Sequence, residues 1–137
     1  MFPSQSKGQA QSILVVDDIE DNLFLLQSIL TEEGYEVDIA QSGKSALAKI
    51  EASPPDLVLM DTMMPQMDGY QVTRRIRENK KLPFIPILMI TAYDNANIPQ
   101  GLELGANDFI RKPIDYDELM ARIKASLRLK QIIKSPQ

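Results

Sequence analysis

The sequence predicts an α/β protein with three layers, in which helices cover both faces of a parallel five-stranded sheet. Short apolar runs alternate with segments of helical spacing along the whole chain, and each run is followed by such a segment. Right-handed connections between successive parallel strands place helices on both faces of the sheet. The runs are apolar at nearly every position, as expected for strands that are buried from both sides.

Each element can be assigned in order along the chain. The predicted strands are "SILVV" (12–16), "EVDIA" (36–40), "LVLM" (57–60), "PILMI" (86–90) and "DFI" (108–110). Helices are predicted where apolar residues recur at helical spacing: Ile19 with Leu23, Leu26 and Leu30; Ala46 with Ile50; Val72 with Ile76; Ile98 with Leu102; and Leu119 with Ile123 and Leu127. Gly34, Pro54 with Pro55, and Gly105 are expected to end the first, second and fourth helices.

Length and composition indicate one domain. The chain has 137 residues, of which 44% are hydrophobic, and its net charge of -4 disfavours a nucleic-acid-binding role. The opening segment lacks the apolar core of a signal peptide, and no segment approaches the roughly 18 apolar residues of a membrane span. We therefore expect a cytoplasmic protein with a flexible tail at 1–11, a domain at 12–128 and a C-terminal helix extension at 129–137.

The chain contains neither cysteine nor histidine. Disulfides and thiolate metal sites are therefore excluded, as fits a reducing compartment. Chemistry that requires an imidazole, such as a catalytic triad or a phosphohistidine, cannot be completed within this chain. If such a group takes part in the function, a partner must supply it.

Polar side chains stand where the predicted strands end. Asp17 and Asp18 follow the first strand, Asp61 the third, Thr91 the fourth and Lys112 the fifth. Taken separately, each has a structural explanation, because an aspartate can cap a helix, a threonine can bond its own backbone and a lysine can be a solvated charge. Since ligand sites of open parallel sheets lie beyond the carboxyl ends of the strands, we expect these residues to share one crevice.

The chemistry of this cluster favours phosphoryl transfer with a hard cation. Three neighbouring carboxylates repel one another and either take up protons or recruit a cation such as Mg2+, which prefers oxygen ligands and leaves room for phosphate oxygens. Asp61 can accept a phosphoryl group as an acyl phosphate, whose charge Lys112 and Thr91 would share. No obvious base is present to activate water, so the site is predicted to hold a phosphoryl group rather than discard it.

Four motifs carry a family resemblance. "ILVVDDIEDN", "DLVLMDTMMPQMDGY", "ILMITAY" and "GANDFIRKPID" resemble, in order and spacing, the receiver domain of bacterial two-component response regulators. The resemblance covers roughly residues 12–128. It implies a CheY-like, flavodoxin-like (βα)5 fold with strand order 2-1-3-4-5. It also implies that the phosphoryl donor is a phosphohistidine on a sensor histidine kinase or a phosphotransfer protein.

The resemblance implies metal-binding roles for individual residues. Asp61 would be the phosphoacceptor. Asp18, Asp61 and the backbone carbonyl of Met63 would bind Mg2+ directly, or Mn2+ in its place, and Asp17 would act through a metal-bound water.

The resemblance also implies a switch. Lys112 would pair with the phosphoryl group, and its peptide bond to Pro113 is expected to be cis. Thr91 would move toward a phosphoryl oxygen while Phe109 turns inward with it, which would change the face that partners bind.

Loss of the phosphoryl group is expected to be slow, and the domain is not expected to be a turnover enzyme. Met63 and Tyr93 stand two residues beyond Asp61 and Thr91, at positions that flank the path of hydrolytic water in this family. These two bulky side chains are expected to slow dephosphorylation, unless they merely pack against loop neighbours.

The last predicted helix continues past the core into "SLRLKQIIKSPQ". Leu129, Ile132 and Ile133 are expected to lie largely beyond the sheet, where they would form a homodimer contact or the start of a linker to an output domain. We expect a stand-alone receiver, with a piece cut from a longer protein as the alternative, and the sequence does not identify the downstream effector.

Three other functions are open at the level of sequence. A flavin-binding relative shares the fold, but its phosphate loop needs hydroxyls, glycines and free amides where this chain has "DDIED". A magnesium-dependent phosphatase should carry an acid two residues after its nucleophile, where Met63 stands. A receiver that serves only as a docking surface typically lacks an acid or the lysine, and this chain has kept them all.

Overall fold

Five strands alternate with five helices in the computed structural model, which describes residues 10–92 and 97–134. The strands are β1 Ser12–Val16, β2 Glu36–Ala40, β3 Leu57–Asp61, β4 Ile87–Thr91 and β5 Asp108–Arg111. The helices are α1 Glu20–Glu32, α2 Gly43–Ala52, α3 Gly69–Glu78, α4 Ile98–Leu104 and α5 Tyr116–Lys134. The predicted order of elements is confirmed. The tail predicted at residues 1–11 lies mostly outside the described residues.

The five strands form one parallel sheet in the order β2-β1-β3-β4-β5, which confirms the predicted fold class and topology. The chain crosses from β1 outward to β2, and then returns past β1 to β3. A crevice therefore opens between β1 and β3 at their carboxyl ends. Asp61 pairs with Ile90, and Thr91 pairs with Arg111, so the ends of β3, β4 and β5 are neighbours in register.

Alternate strand residues pack into two apolar layers. Met60 belongs to the layer that includes residues of α2 and α3, whereas its neighbour Leu59 belongs to the layer that includes residues of α1 and α5. Every residue of β3 and β4 is buried. The two most deeply buried strands thus end in Asp61 and Thr91, and the packing behind these residues holds their positions.

Local sequence signals define several helix ends. Ser42 and Asp68 cap α2 and α3, and their side-chain oxygens accept backbone N–H groups at 3.1 and 2.9 Å. Gly34 follows α1 and Pro54 follows α2, as predicted. Gly105 ends α4 with a φ of 118°, a left-handed conformation that suits glycine.

Two residues that were predicted on apolar helix faces are exposed. Ile19 is the N-cap of α1 and is 51% exposed, and Leu102 of α4 is 48% exposed. α4 packs instead through Gly101, which lies so close to Phe109 that an added β-carbon would be 2.3 Å from the ring. Periodicity missed this contact because glycine carries no apolar side chain.

The last helix remains packed slightly longer than predicted. Lys130 is buried, and its ammonium donates a hydrogen bond to the carbonyl of Phe84 at 2.6 Å, two residues past the expected end of the domain. Beyond it, Ile132 and Ile133 are exposed. α5 is 19 residues long, yet neither it nor any other helix of the described residues is long and apolar enough to cross a membrane.

Candidate functional site

The carboxyl edge of the sheet carries all five polar residues that the sequence singled out. Asp17 and Asp18 directly follow β1, Asp61 and Thr91 are the last residues of β3 and β4, and Lys112 directly follows β5. Carboxylate oxygens of the three aspartates all lie within 4.8 Å of one another. Asp17 and Asp61 are buried while Asp18 is exposed, so this acidic cluster reaches solvent through Asp18.

Asp61 is a buried carboxylate with one cationic neighbour. Its Oδ2 lies 3.6 Å from Nζ of Lys112, and its Oδ1 accepts the backbone N–H of Met63 at 3.3 Å. Burial raises the pKa of Asp61, and the charges of Asp17 and Asp18 raise it further. Lys112 and the Met63 N–H lower the pKa but do not cancel the rise. The neighbouring acids thus work against ionisation of Asp61.

Asp17 belongs to the acidic cluster and also shapes the start of α1. Its Oδ1 accepts the backbone N–H of Ile19 at 2.9 Å, and its Oδ2 accepts the side-chain amide of Asn22 at 3.1 Å. The alternative explanation, that Asp17 serves the start of helix α1, therefore holds in part. A carboxylate offers about four acceptor positions, so both oxygens keep lone pairs for another ligand. Sequence reasoning missed Asn22, although a polar side chain in the first turn of α1 was a signal.

The donor atoms of the cluster fit a hard divalent cation. Three carboxylates face one ammonium, which leaves uncompensated negative charge, and every candidate donor is an oxygen. The carbonyl oxygen of Met63 accepts no hydrogen bond from the part of the chain that the structure describes. Carboxylates, carbonyls and water are the ligands that suit Mg2+ and Mn2+. The residues present therefore fit the expected metal.

The hydroxyl of Thr91 is buried and already paired. It donates to the carbonyl of Ala92 at 3.2 Å and accepts from the hydroxyl of Thr62 at 3.4 Å. Phe109 pairs with Met89, two positions before Thr91, so it projects from the same face of the sheet. It is 7% exposed and thus lies turned inward. Sequence reasoning missed Thr62, for which a hydroxyl directly after the strand-end aspartate was the signal.

Two further predicted features lie beside the cluster, at Pro113 and Met63. The peptide bond between Lys112 and Pro113 is cis. The side chain of Met63 is 53% exposed, which does not favour the alternative that it packs against loop neighbours. Tyr93 lies outside the described residues.

An apolar groove borders the acidic cluster on the α1 side. Its volume is about 340 Å3, and its lining includes Asp17 and Lys112 together with the apolar residues Leu25, Ile29 and Ile114. Leu25 is 61% exposed. This α1 groove therefore offers an apolar surface directly beside Asp61 and its neighbours, and the sequence analysis did not identify it.

Fold and site together define an α/β protein whose parallel sheet carries an acidic cluster at its carboxyl edge. Comparison with known proteins identifies the family, because the model of the response regulator receiver domain matches residues 13–124. The chain belongs to the response regulator receiver domain family, and the resemblance seen in its motifs is confirmed.

Individual relatives agree with this assignment. Response regulator PleD of Caulobacter vibrioides is 48% identical over 122 residues, which are 88% of this chain and 27% of PleD. The alkaline phosphatase synthesis transcriptional regulatory protein PhoP of Bacillus subtilis is 45% identical over 89% of this chain and 50% of PhoP. The chain therefore spans about a quarter to a half of these two relatives. A solved CheY-like receiver domain protein from Methanospirillum hungatei matches with a TM-score of 0.82 and 32% identity, covering 90% of this chain and 98% of that one.

Proposed function

We propose that this receiver domain is a phosphorylation-dependent switch in which Asp61 accepts a phosphoryl group from the phosphohistidine of a sensor histidine kinase or a phosphotransfer protein. The observation that carries the proposal is the setting of Asp61, a buried carboxylate with an ammonium 3.6 Å away and two further carboxylates within 4.8 Å. The donor must come from a partner, because the chain contains no histidine.

The transfer step needs mainly positioning and charge compensation. An oxygen of Asp61 attacks phosphorus, an acyl phosphate forms, and the phosphorus–nitrogen bond to the donor imidazole breaks with its electron pair leaving on nitrogen. The ammonium of Lys112 compensates the charge of the arriving group. The hydroxyl of Thr91 then leaves the carbonyl of Ala92 and donates to a phosphoryl oxygen.

Mg2+, or Mn2+ in its place, would be held by Asp18, Asp61 and the carbonyl of Met63, with Asp17 acting through a bound water. When bound, the cation supplies charge neutralisation for the phosphoryl oxygens. Asp61 must be ionised to attack, whereas Asp17 and Asp18 oppose its ionisation. A cation bound to these acids would offset their negative charge, and Asp61 could then be ionised.

The α1 groove supports a docking route for the donor. Its apolar lining reaches Asp17 and Lys112, so a partner that covers exposed Leu25 would bring its imidazole to the acidic cluster. We propose that the kinase or phosphotransfer protein binds there by apolar contact.

The phosphorylated state is proposed to be long-lived, so that the domain performs its own phosphotransfer and slow autodephosphorylation without acting as a turnover enzyme. The exposed side chain of Met63 supports a shielding role, together with Tyr93. Exchanging both for polar residues, Met63→Asn with Tyr93→Glu, is expected to shorten the phosphorylated lifetime, measured by the decay of the phosphorylated mass. An unchanged lifetime would remove shielding from the proposal.

The output is proposed to be a changed partner-binding face around α4, set by Thr91 and Phe109.

The exposed Ile132 and Ile133 support a homodimer contact through the last helix, which sedimentation at several protein concentrations would detect. We place this activity in the cytoplasm, where kinase domains of two-component systems would reach it.

The direct test is intact mass after incubation with Mg2+ and acetyl phosphate. Wild type is expected to gain one phosphoryl group, and Asp61→Asn is expected to gain none. Asp38→Asn is a matched control, because it removes a well-exposed carboxylate from the edge strand β2 and should leave the gain intact. If wild type gains no mass although Mg2+ binds, the switch proposal fails and the docking-module alternative is favoured.

A further inference from the structure

Thr62 places a buried hydroxyl against the hydroxyl of Thr91. Both residues have no exposed surface, and their Oγ1 atoms are 3.4 Å apart. The backbone of Thr62 is held on both sides, since its N–H donates to the carbonyl of Ile90 at 3.0 Å and its carbonyl accepts the N–H of Gly69 at 2.9 Å. The position of this hydroxyl beside Asp61 is therefore set by the sheet and by the start of α3.

Thr91 is the only hydrogen-bond partner of the Thr62 side chain among the described residues. The start of α3 closes over this site, because a β-carbon added at Gly69 would lie 2.5 Å from the carbonyl oxygen of Asp61 and 3.0 Å from Cα of Thr62. The backbone of Asp61 and Thr62 is thus in close contact with the start of α3.

The pairing opposes movement of Thr91. A threonine hydroxyl has a single proton, and Thr91 uses it on the carbonyl of Ala92 at 3.2 Å while accepting from Thr62. To donate to a group bound at Asp61, Thr91 must give up its bond to the carbonyl of Ala92, and rotation of its side chain would also separate its oxygen from Thr62. Thr62 would then be left as a buried hydroxyl without a partner, which is unfavourable.

We propose that Thr62 is a positioning residue that holds Thr91 in its resting orientation and so lowers the affinity of the domain for a phosphoryl group. The inference rests on the proposed function, since it assigns Thr62 to the reaction at Asp61. Removing the hydroxyl of Thr62 frees Thr91 to turn, and the phosphoryl-bound state becomes more favourable relative to the resting state.

The first measurement is the affinity for beryllofluoride with Mg2+, a mimic of the phosphoryl group, by titration calorimetry. Thr62→Val keeps the shape and removes the hydroxyl, and it is expected to bind about two- to fivefold more tightly than wild type. Thr62→Ser keeps the hydroxyl and should bind like wild type. In a Thr91→Ala background, adding Thr62→Val should change nothing, because the contact is already absent.

Several results would overturn the inference. The inference is wrong if Thr62→Val binds beryllofluoride no more tightly than wild type does. It is also wrong if Thr62→Val tightens binding equally in the wild-type and Thr91→Ala backgrounds. If Thr62→Val folds poorly, Thr62→Ala carries the same expectation.

A second measurement does not depend on phosphorylation. In protein without metal or mimic, three-bond couplings of the Thr91 methyl group report its χ1 rotamers, and Thr62→Val should spread them over more than one rotamer. A single unchanged rotamer contradicts the role of Thr62. Failure of wild type to gain mass contradicts only the proposed function, so the two failures can be told apart.

Discussion

Replacing Asp61 with asparagine is expected to stabilise the protein in metal-free buffer. At an effective dielectric constant of about 20, a carboxylate 4.8 Å from Asp61 repels it by about 3.5 kcal/mol, and Lys112 at 3.6 Å attracts it by about 4.6 kcal/mol. Asp17 and Asp18 both repel. Solvent weakens the contributions of exposed Asp18 and of Lys112, whose side chain is 34% exposed. Burial of the charged carboxylate adds a desolvation cost, so the net destabilisation that asparagine removes is on the order of 1 to 2 kcal/mol.

Thermal unfolding in EDTA at neutral pH measures this gain, which corresponds to a rise in Tm of roughly 3 to 8 °C. The gain should depend on pH, because burial, Asp17 and Asp18 raise the pKa of Asp61 above its ordinary value of 3.8. Between 3.8 and the raised pKa the folded protein binds more protons than the unfolded chain, so wild-type stability falls as pH rises through this window. The advantage of Asp61→Asn should vanish below the window and be complete above it.

Mg2+ should offset most of this advantage. At ten times its Kd the cation is expected to stabilise wild type by about 1.4 kcal/mol, and Asp61→Asn should lose most of that response. Asp38→Asn, which removes a well-exposed carboxylate of β2, should leave both the EDTA value and the Mg2+ response close to wild type. The reasoning is refuted if Asp61→Asn lowers Tm in EDTA, or if Mg2+ stabilises wild type and Asp61→Asn equally.

Two further predictions concern the support of α4, and urea unfolding measures both. Gly101→Ala should destabilise the protein by roughly 1 to 3 kcal/mol, because the added β-carbon would lie 2.3 Å from Phe109, and Phe109→Leu in the same chain should recover most of the loss. A neutral Gly101→Ala would show that the ring moves aside freely. Arg77→Leu should cost about 2 to 4 kcal/mol, since Arg77 donates to the carbonyl of Gly105 at 3.0 Å and to Oδ1 of Asn107 at 2.9 Å. Arg77→Lys should recover only part of this, because one ammonium cannot reproduce the fork of the guanidinium, and a full recovery would contradict the two-acceptor account.

The residues at the strand ends could be predicted because a polar residue that directly follows a buried apolar run has to lie at the edge of the sheet. A run such as "LVLM" is buried almost wherever it occurs in an α/β protein, so the position of Asp61 directly after it places a carboxylate at the sheet edge. The same argument placed Thr91 and Lys112. The strand order could not be obtained in this way, because periodicity does not say which strands are neighbours, and it came from the family resemblance.

The residues that were missed are those whose role depends on a tertiary contact. Thr62 and Asn22 are ordinary polar residues in the sequence, and only the folded chain pairs them with Thr91 and Asp17. Lys130 has the sequence character of a solvated lysine, yet the fold buries it against a loop carbonyl. Propensity and periodicity describe a residue's own segment, whereas these partners lie up to 46 positions away.

The two residues of the proposed switch, Thr91 and Phe109, have different surroundings in the structure. Phe109 is already inside, pressed against Gly101, while the hydroxyl of Thr91 is directed at the carbonyl of Ala92. If Asp61 is phosphorylated as proposed, the change redirects a buried hydroxyl rather than burying an aromatic ring. Redirecting the hydroxyl of Thr91 breaks hydrogen bonds, and Thr62 donates one of the two that Thr91 makes. If the domain switches as proposed, its threshold should respond more to Thr62, the residue next to Asp61, than to the apolar packing around the ring.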